Sequence, residues 1–135
     1  MKPLSWIAGV VLVGPAAVAA QSSDTLPIRV AEKQIETFNR KDLDGFMALY
    51  ADDATVMEFP SSKVLAQGKA AIRQRYEPMF KAATTPPVRV EPRVVDGAFV
   101  LDYERWAAKP GERNHAVWMY DIRGGLIRKA WTVKI

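Results

Sequence analysis

Apolar residues keep a helical spacing through the first part of the chain and an alternating one after residue 87. Ile28, Ala31, Ile35 and Phe38 recur at helical intervals, which predicts an amphipathic helix with one buried stripe. Asp24 or Thr25 can cap its start, and Pro27 is tolerated in a first turn. Asn39-Arg40-Lys41 ends it, and Asp42 can cap a second helix carrying Leu43, Phe46, Leu49 and Tyr50. Ala51-Asp52-Asp53-Ala54 reads as a turn, and residues 55–59 as a strand stopped by Pro60-Ser61-Ser62. Gly68-Lys69-Ala70-Ala71 opens a third helix whose stripe is Ile72, Tyr76 and either Met79 or Phe80. Pro78 is expected to kink that helix or end it early.

Thr84-Thr85-Pro86-Pro87 is a rigid linker. Beyond it every segment reads as strand: residues 88–95, 99–106, 115–122 and 126–133. Turn-forming residues separate them, so the strands form an antiparallel meander. Helices first and sheet afterwards predict an α+β fold, with three N-terminal helices on one face of a curved antiparallel sheet. Curvature makes the sheet half a barrel, the helices close the other half, and a tapered pocket lies between.

Composition narrows the chemistry. The chain of 135 residues is 49% hydrophobic and 25% charged, as expected of one globular domain. It has no cysteine, which excludes disulfides, zinc–cysteine sites and thiol chemistry. Its single histidine, His115, makes a dedicated metal site improbable. The net charge of +4 is mild and its cations are scattered, whereas nucleic-acid binders concentrate theirs on one face. Lys2, an apolar run from Leu4 to Val13, a break at Gly14-Pro15 and the small residues Ala17-Val18-Ala19 read as a signal peptide over residues 1–20. The apolar run is shorter than the roughly 20 residues that span a bilayer. Export to the periplasm or medium is therefore expected, with no stable membrane anchor after cleavage. No phosphate-binding glycine loop, nucleophile elbow or His-Glu-x-x-His occurs.

The segment FNRKDLDGFMALYADDATVMEFP, the Gly68-led third helix and the Gly124-Gly125 hairpin resemble the nuclear transport factor 2-like superfamily, in its SnoaL-like and steroid delta-isomerase-like branch. The resemblance covers nearly all of residues 24–135. It implies a cystatin-like cone enclosing a pocket, a homodimer joined through the outer sheet face, and a small apolar or carbonyl-containing ligand. It also implies cofactor-free proton transfer by a carboxylate. The base position of the delta-isomerases falls on Glu58. Their oxyanion-hole tyrosine falls on Gln34, and their neutral aspartic acid falls at or near Trp118. Two of the three expected groups are thus replaced.

Strand parity sorts the remaining candidates. Glu58 shares a face with Val56. Inside a pocket its pKa should rise above the free-glutamate value, which suits a proton shuttle; on an edge strand it faces solvent. Phe99, Leu101, Tyr103 and Arg105 form one face of the next-but-one segment and Val100, Asp102, Glu104 and Trp106 the other. The resemblance implies that the first set points inward, with Tyr103 and Arg105 orienting a ligand; a surface position for Arg105 is the alternative. Ala116, Trp118 and Tyr120 share a face, as pocket walls or as ordinary core. His115, Val117 and Met119 lie opposite them. Asp52 and Asp53 fit a turn better than a metal pair. The expectation is an exported isomerase- or lyase-like protein with Glu58 as its acid–base, or else a non-catalytic ligand-binding or dimerisation module of the same fold.

Overall fold

Pro27 starts the first helix, where its missing N–H costs nothing, and α1 runs Pro27–Asn39. The computed structural model describes Gly14 and residues 26–134, so the expected leader and the caps Asp24 and Thr25 otherwise lie outside the described residues. Asp42 caps α2 (Leu43–Ala48), its carboxylate accepting from the Gly45 N–H at 2.8 Å. α3 (Lys69–Lys81) begins after Gly68, whose positive φ of 81° suits glycine. It continues past Pro78 instead of stopping there, because one missing N–H near the end of a helix removes a single hydrogen bond.

The sheet has six strands: β1 (Tyr50–Phe59), β2 (Val64–Gln67), β3 (Arg89–Asp96), β4 (Phe99–Arg105), β5 (His115–Arg123) and β6 (Leu126–Val133). Their order is β2-β1-β6-β5-β4-β3. The meander β3 to β6 is antiparallel throughout, as its short turns require. β1 lies parallel to β6, however, and short β2 pairs with β1. The segment Ala51–Ala54 is strand rather than turn. Pairing slips between Tyr50 and Thr55, so a bulge absorbs residues whose composition favours a bend.

Helices cover the concave face. α1 lies over β3, β4 and β5, while α3 lies over β1 and β2. Phe46 is fully buried where the helices meet, its ring centroid 4.9 Å from Tyr76 and 5.1 Å from Phe80. The buried face of α1 is Val30, Ala31, Gln34 and Thr37. Ile35 and Phe38 are only half-buried and Ile28 is exposed, so the helix is rotated relative to its apolar stripe. That rotation turns Gln34 toward the sheet.

Candidate functional site

Between the helices and the concave face lies a cavity of about 330 Å³. α1 contributes Gln34, Ile35 and Phe38; α3 contributes Arg75, Tyr76 and Met79. Thr85, Pro86 and Val88 close one side from the linker and its end. The sheet supplies Glu104, Ala116, Trp118, Tyr120 and Thr132. Most of this wall is apolar. The Trp118 and Tyr120 rings stack nearly parallel, 6.2 Å apart and 8° from coplanar.

One carboxylate faces this cavity. Glu104, on β4, is 8% exposed. Burial first, and then the neighbouring Asp102 charge, push its carboxyl from an ordinary 4.5 up to about 8. The Tyr120 hydroxyl donates to its Oε1 at 3.3 Å and opposes that rise. Glu104 is therefore a neutral acid at physiological pH, able to donate a hydrogen bond or release a proton. Its Oε2 has no hydrogen-bond partner among the described residues. The Gln34 amide nitrogen donates to Tyr120 Oη at 3.1 Å and to Tyr50 Oη at 3.4 Å. These tyrosines and Tyr76 are all buried, and burial drives their hydroxyls well above the usual phenolic range. They stay protonated and act as hydrogen-bonding groups.

Asp102 supports the site from behind. It is fully buried on the same face as Glu104, and Arg93 of β3 grips it with two 2.7 Å hydrogen bonds. Arg93 stands opposite Asp102 in the β3–β4 register, and Asp102 stands opposite Trp118 in β5. A bidentate guanidinium keeps the Asp102 charge in place beneath the cavity wall.

The candidates read from the sequence divide into three groups. Gln34, Trp118 and Tyr120 line the cavity. Tyr103 and Arg105 do not. They lie on the outer face, where Tyr103 stacks on His115 at 5.5 Å and the Arg105 guanidinium sits 4.9 Å from the Tyr103 ring. The inward face of β4 is instead Val100, Asp102 and Glu104. The resemblance implied the other set inside, but Phe99 and Leu101 share the outer face with Tyr103 and Arg105 and are exposed. The two acids are tolerated inside because one is ion-paired and the other is protonated. Glu58 lies on the concave side, opposite Thr132, with a side chain only 17% exposed. It is nevertheless absent from the cavity wall. Its carboxylate meets Lys134 Nζ at 3.7 Å and accepts from Ser61 Oγ at 3.4 Å, at the far end of β1. The buried carboxyl on the cavity wall is Glu104.

The profile of the SnoaL-like domain matches residues 31–130. The chain belongs to the SnoaL-like domain family. Solved structures agree on the fold of this SnoaL-like domain. A candidate ketosteroid isomerase from Kribbella flavida superposes with a TM-score of 0.66 at 19% identity, over 79% of this chain and 76% of that one. An epoxide hydrolase of the LEH-like type from M. tuberculosis gives 0.63 at 19% identity, over 79% and 80%. A nuclear transport factor 2-like protein of unknown function from Mesorhizobium loti gives 0.68 at 15%, over 84% and 93%. At these identities the likeness is one of fold, and function within it resides in the site. No cluster of candidate metal-ligating residues occurs among the described residues of the SnoaL-like domain.

Glu104 had one legible signal. Counting back from the β3–β4 hairpin puts Arg93 across from Asp102, a cross-strand ion pair that binds the two residues to one face. The pair did not say which face.

Proposed function

We propose that this protein binds a small, mostly apolar molecule bearing a carbonyl or hydroxyl oxygen and promotes its cofactor-free isomerisation or elimination, with Glu104 moving the proton. A single observation carries the reading: a buried carboxyl, which desolvation pushes up to about 8, faces an apolar cavity with one oxygen unpaired. Such an acid polarises a substrate oxygen by donating to it, and its anion takes up a proton from carbon. Tyr120 holds its other oxygen, and Trp118 supplies a flat wall for a ring.

Ala116 is buried in that wall beside Glu104 in the β4–β5 register, so Ala116→Trp should fill the cavity from the sheet side. Compounds that raise the melting temperature of the wild-type protein should lose that effect in the variant, with circular dichroism unchanged. A screen in which every hit survives the plug would sink the proposal. A binding role without turnover is the second reading, favoured by the presence of only one carboxyl in the cavity wall among the described residues; it predicts full ligand affinity in Glu104→Gln and no turned-over substrate.

Export and self-association extend the proposal. The outer sheet face exposes Phe59 and Val64 near one edge and Val94, Phe99 and Leu101 near the other, apolar surface that a second copy could cover. We take its partner to be the same face of a second copy, after removal of residues 1–20. Light scattering and intact mass on protein recovered from the periplasm or medium check both points. A monomer at high concentration rejects the first, and an intact leader rejects the second.

A further inference from the structure

We propose that the ligand is an amphipathic hydroxy acid, with its hydroxyl at the buried end of the cavity, an apolar ring body along the wall and its carboxylate at the mouth. The proposal rests on the reading of this cavity as a ligand site and specifies what that site selects.

The buried end is incomplete without a donor. Gln34 is 4% exposed and spends its amide nitrogen on Tyr120 and Tyr50, while its carbonyl Oε1 is buried with no partner among the described residues. An unpartnered acceptor in the interior is costly, and native proteins rarely keep one. A hydrogen-bond donor on the ligand relieves it. Glu104 makes the complementary demand: as a neutral acid it holds a proton to give, so it seeks an acceptor. A hydroxyl is the smallest group that donates and accepts at once. A carbonyl satisfies Glu104 and leaves Gln34 unpaired. A hydrocarbon leaves both unpaired.

The mouth carries the opposite chemistry. Arg75 of α3 and Arg113 of the β4–β5 loop both line the cavity, and both are exposed. Neither forms an ion pair among the described residues, although eight other cations of this surface do, from Arg29 to Lys134. Arg113 is aimed rather than loose, because its Nε donates to the His115 carbonyl at 2.7 Å. That bond leaves its terminal nitrogens for a ligand. Two guanidinium groups from separate elements suit a carboxylate, which accepts from both. Between mouth and floor, Trp118, Tyr120, Phe38 and Pro86 offer no further charge.

Four compounds on one scaffold test this: naphthalene, naphthol, naphthoic acid and the hydroxynaphthoic acid bearing its two groups at opposite ends. Binding to residues 21–135 is measured by tryptophan fluorescence and calorimetry. The hydroxy acid should bind most tightly. Loss of its carboxylate should weaken binding about tenfold, and loss of its hydroxyl about tenfold again, as expected of charge-assisted and buried hydrogen bonds. The carboxylate preference should vanish in Arg75→Gln/Arg113→Gln, whose changes are both on the surface. The hydroxyl preference should vanish in Gln34→Leu; if that variant fails to fold, the wild-type comparison of naphthoic acid with the hydroxy acid decides the point. Naphthalene binding as tightly as the hydroxy acid overturns this assignment and leaves the cavity reading intact. A carboxylate preference that survives removal of both arginines also overturns it. If none of the four binds, the assignment and the cavity reading fall together.

Discussion

Glu104→Gln is expected to lower turnover of any substrate of this cavity by about 10²–10⁴-fold, the usual contribution of a positioned proton carrier, while making the folded protein more stable at alkaline pH. Glutamine keeps the shape, still accepts from Tyr120 and carries no proton to transfer. The stability effect follows from proton linkage. In the folded state the Glu104 carboxyl titrates near 8, and in the unfolded chain near 4.5. Between those values the native state holds a proton that the unfolded state has released, so stability declines as pH rises. The contribution is fully present below pH 4.5 and is lost as pH rises through about 8. A shift of that size corresponds to about 4–5 kcal/mol. Urea melts across this range should slope downward for the wild type and less so for Glu104→Gln, with the curves diverging most above pH 8. Parallel curves would show that Glu104 is not held neutral, and the acid–base role would go with it.

Asp102→Ala is expected to cost about 3–5 kcal/mol of folding stability, since it leaves a largely buried guanidinium without its anion. Arg93 is only 16% exposed and donates both of its resolved hydrogen bonds to Asp102. The fall in urea midpoint should be roughly 2 M at the usual denaturant sensitivity. Replacing both partners, Arg93→Met with Asp102→Leu, should recover most of the loss, because the cost lies in the unpaired charge and not in the absent pair. The site responds as well. Asp102 raises the Glu104 carboxyl and Arg93 lowers it. Asp102→Ala keeps only the second influence, so Glu104 should titrate at lower pH and the sloping region of the stability curve should move down with it. An Asp102→Ala protein as stable as wild type, with an unmoved slope, would mean that this pair does not anchor the wall.

The elements were largely legible because their signals are local. Asp42 capped α2 through its own side chain, and the short turns forced the meander. Gln34, Trp118 and Tyr120 line the cavity because α1 turns Gln34 toward the sheet and the inward face of β5 carries both aromatics. Tyr103 and Arg105 were misplaced for a reason that parity itself contains. Alternation divides β4 into two sets and is silent about which one meets the helices. The resemblance pointed the first set inward, but Phe99, Leu101, Tyr103 and Arg105 form the outer face, where Phe99 and Leu101 are exposed. Glu58 was drawn from a position in a pattern. Its carboxylate stands one strand beyond Thr132, and Lys134 turns it away from the cavity.

Sequence alone therefore determined the three helices, the antiparallel run of the last four strands, and the enclosure of a space between two layers, while short β2 and the first half of β1 escaped it. These depend on capping, periodicity and turn geometry, all of which act between near neighbours in the chain. The tertiary structure decided which carboxylate occupies that space and in what protonation state. Glu104 becomes an acid with a pKa near 8 only because β4 turns it under α1, beside Asp102 and against Tyr120. Desolvation is a property of everything packed around a group, contributed here by residues far apart in the chain, and no local spacing encodes it.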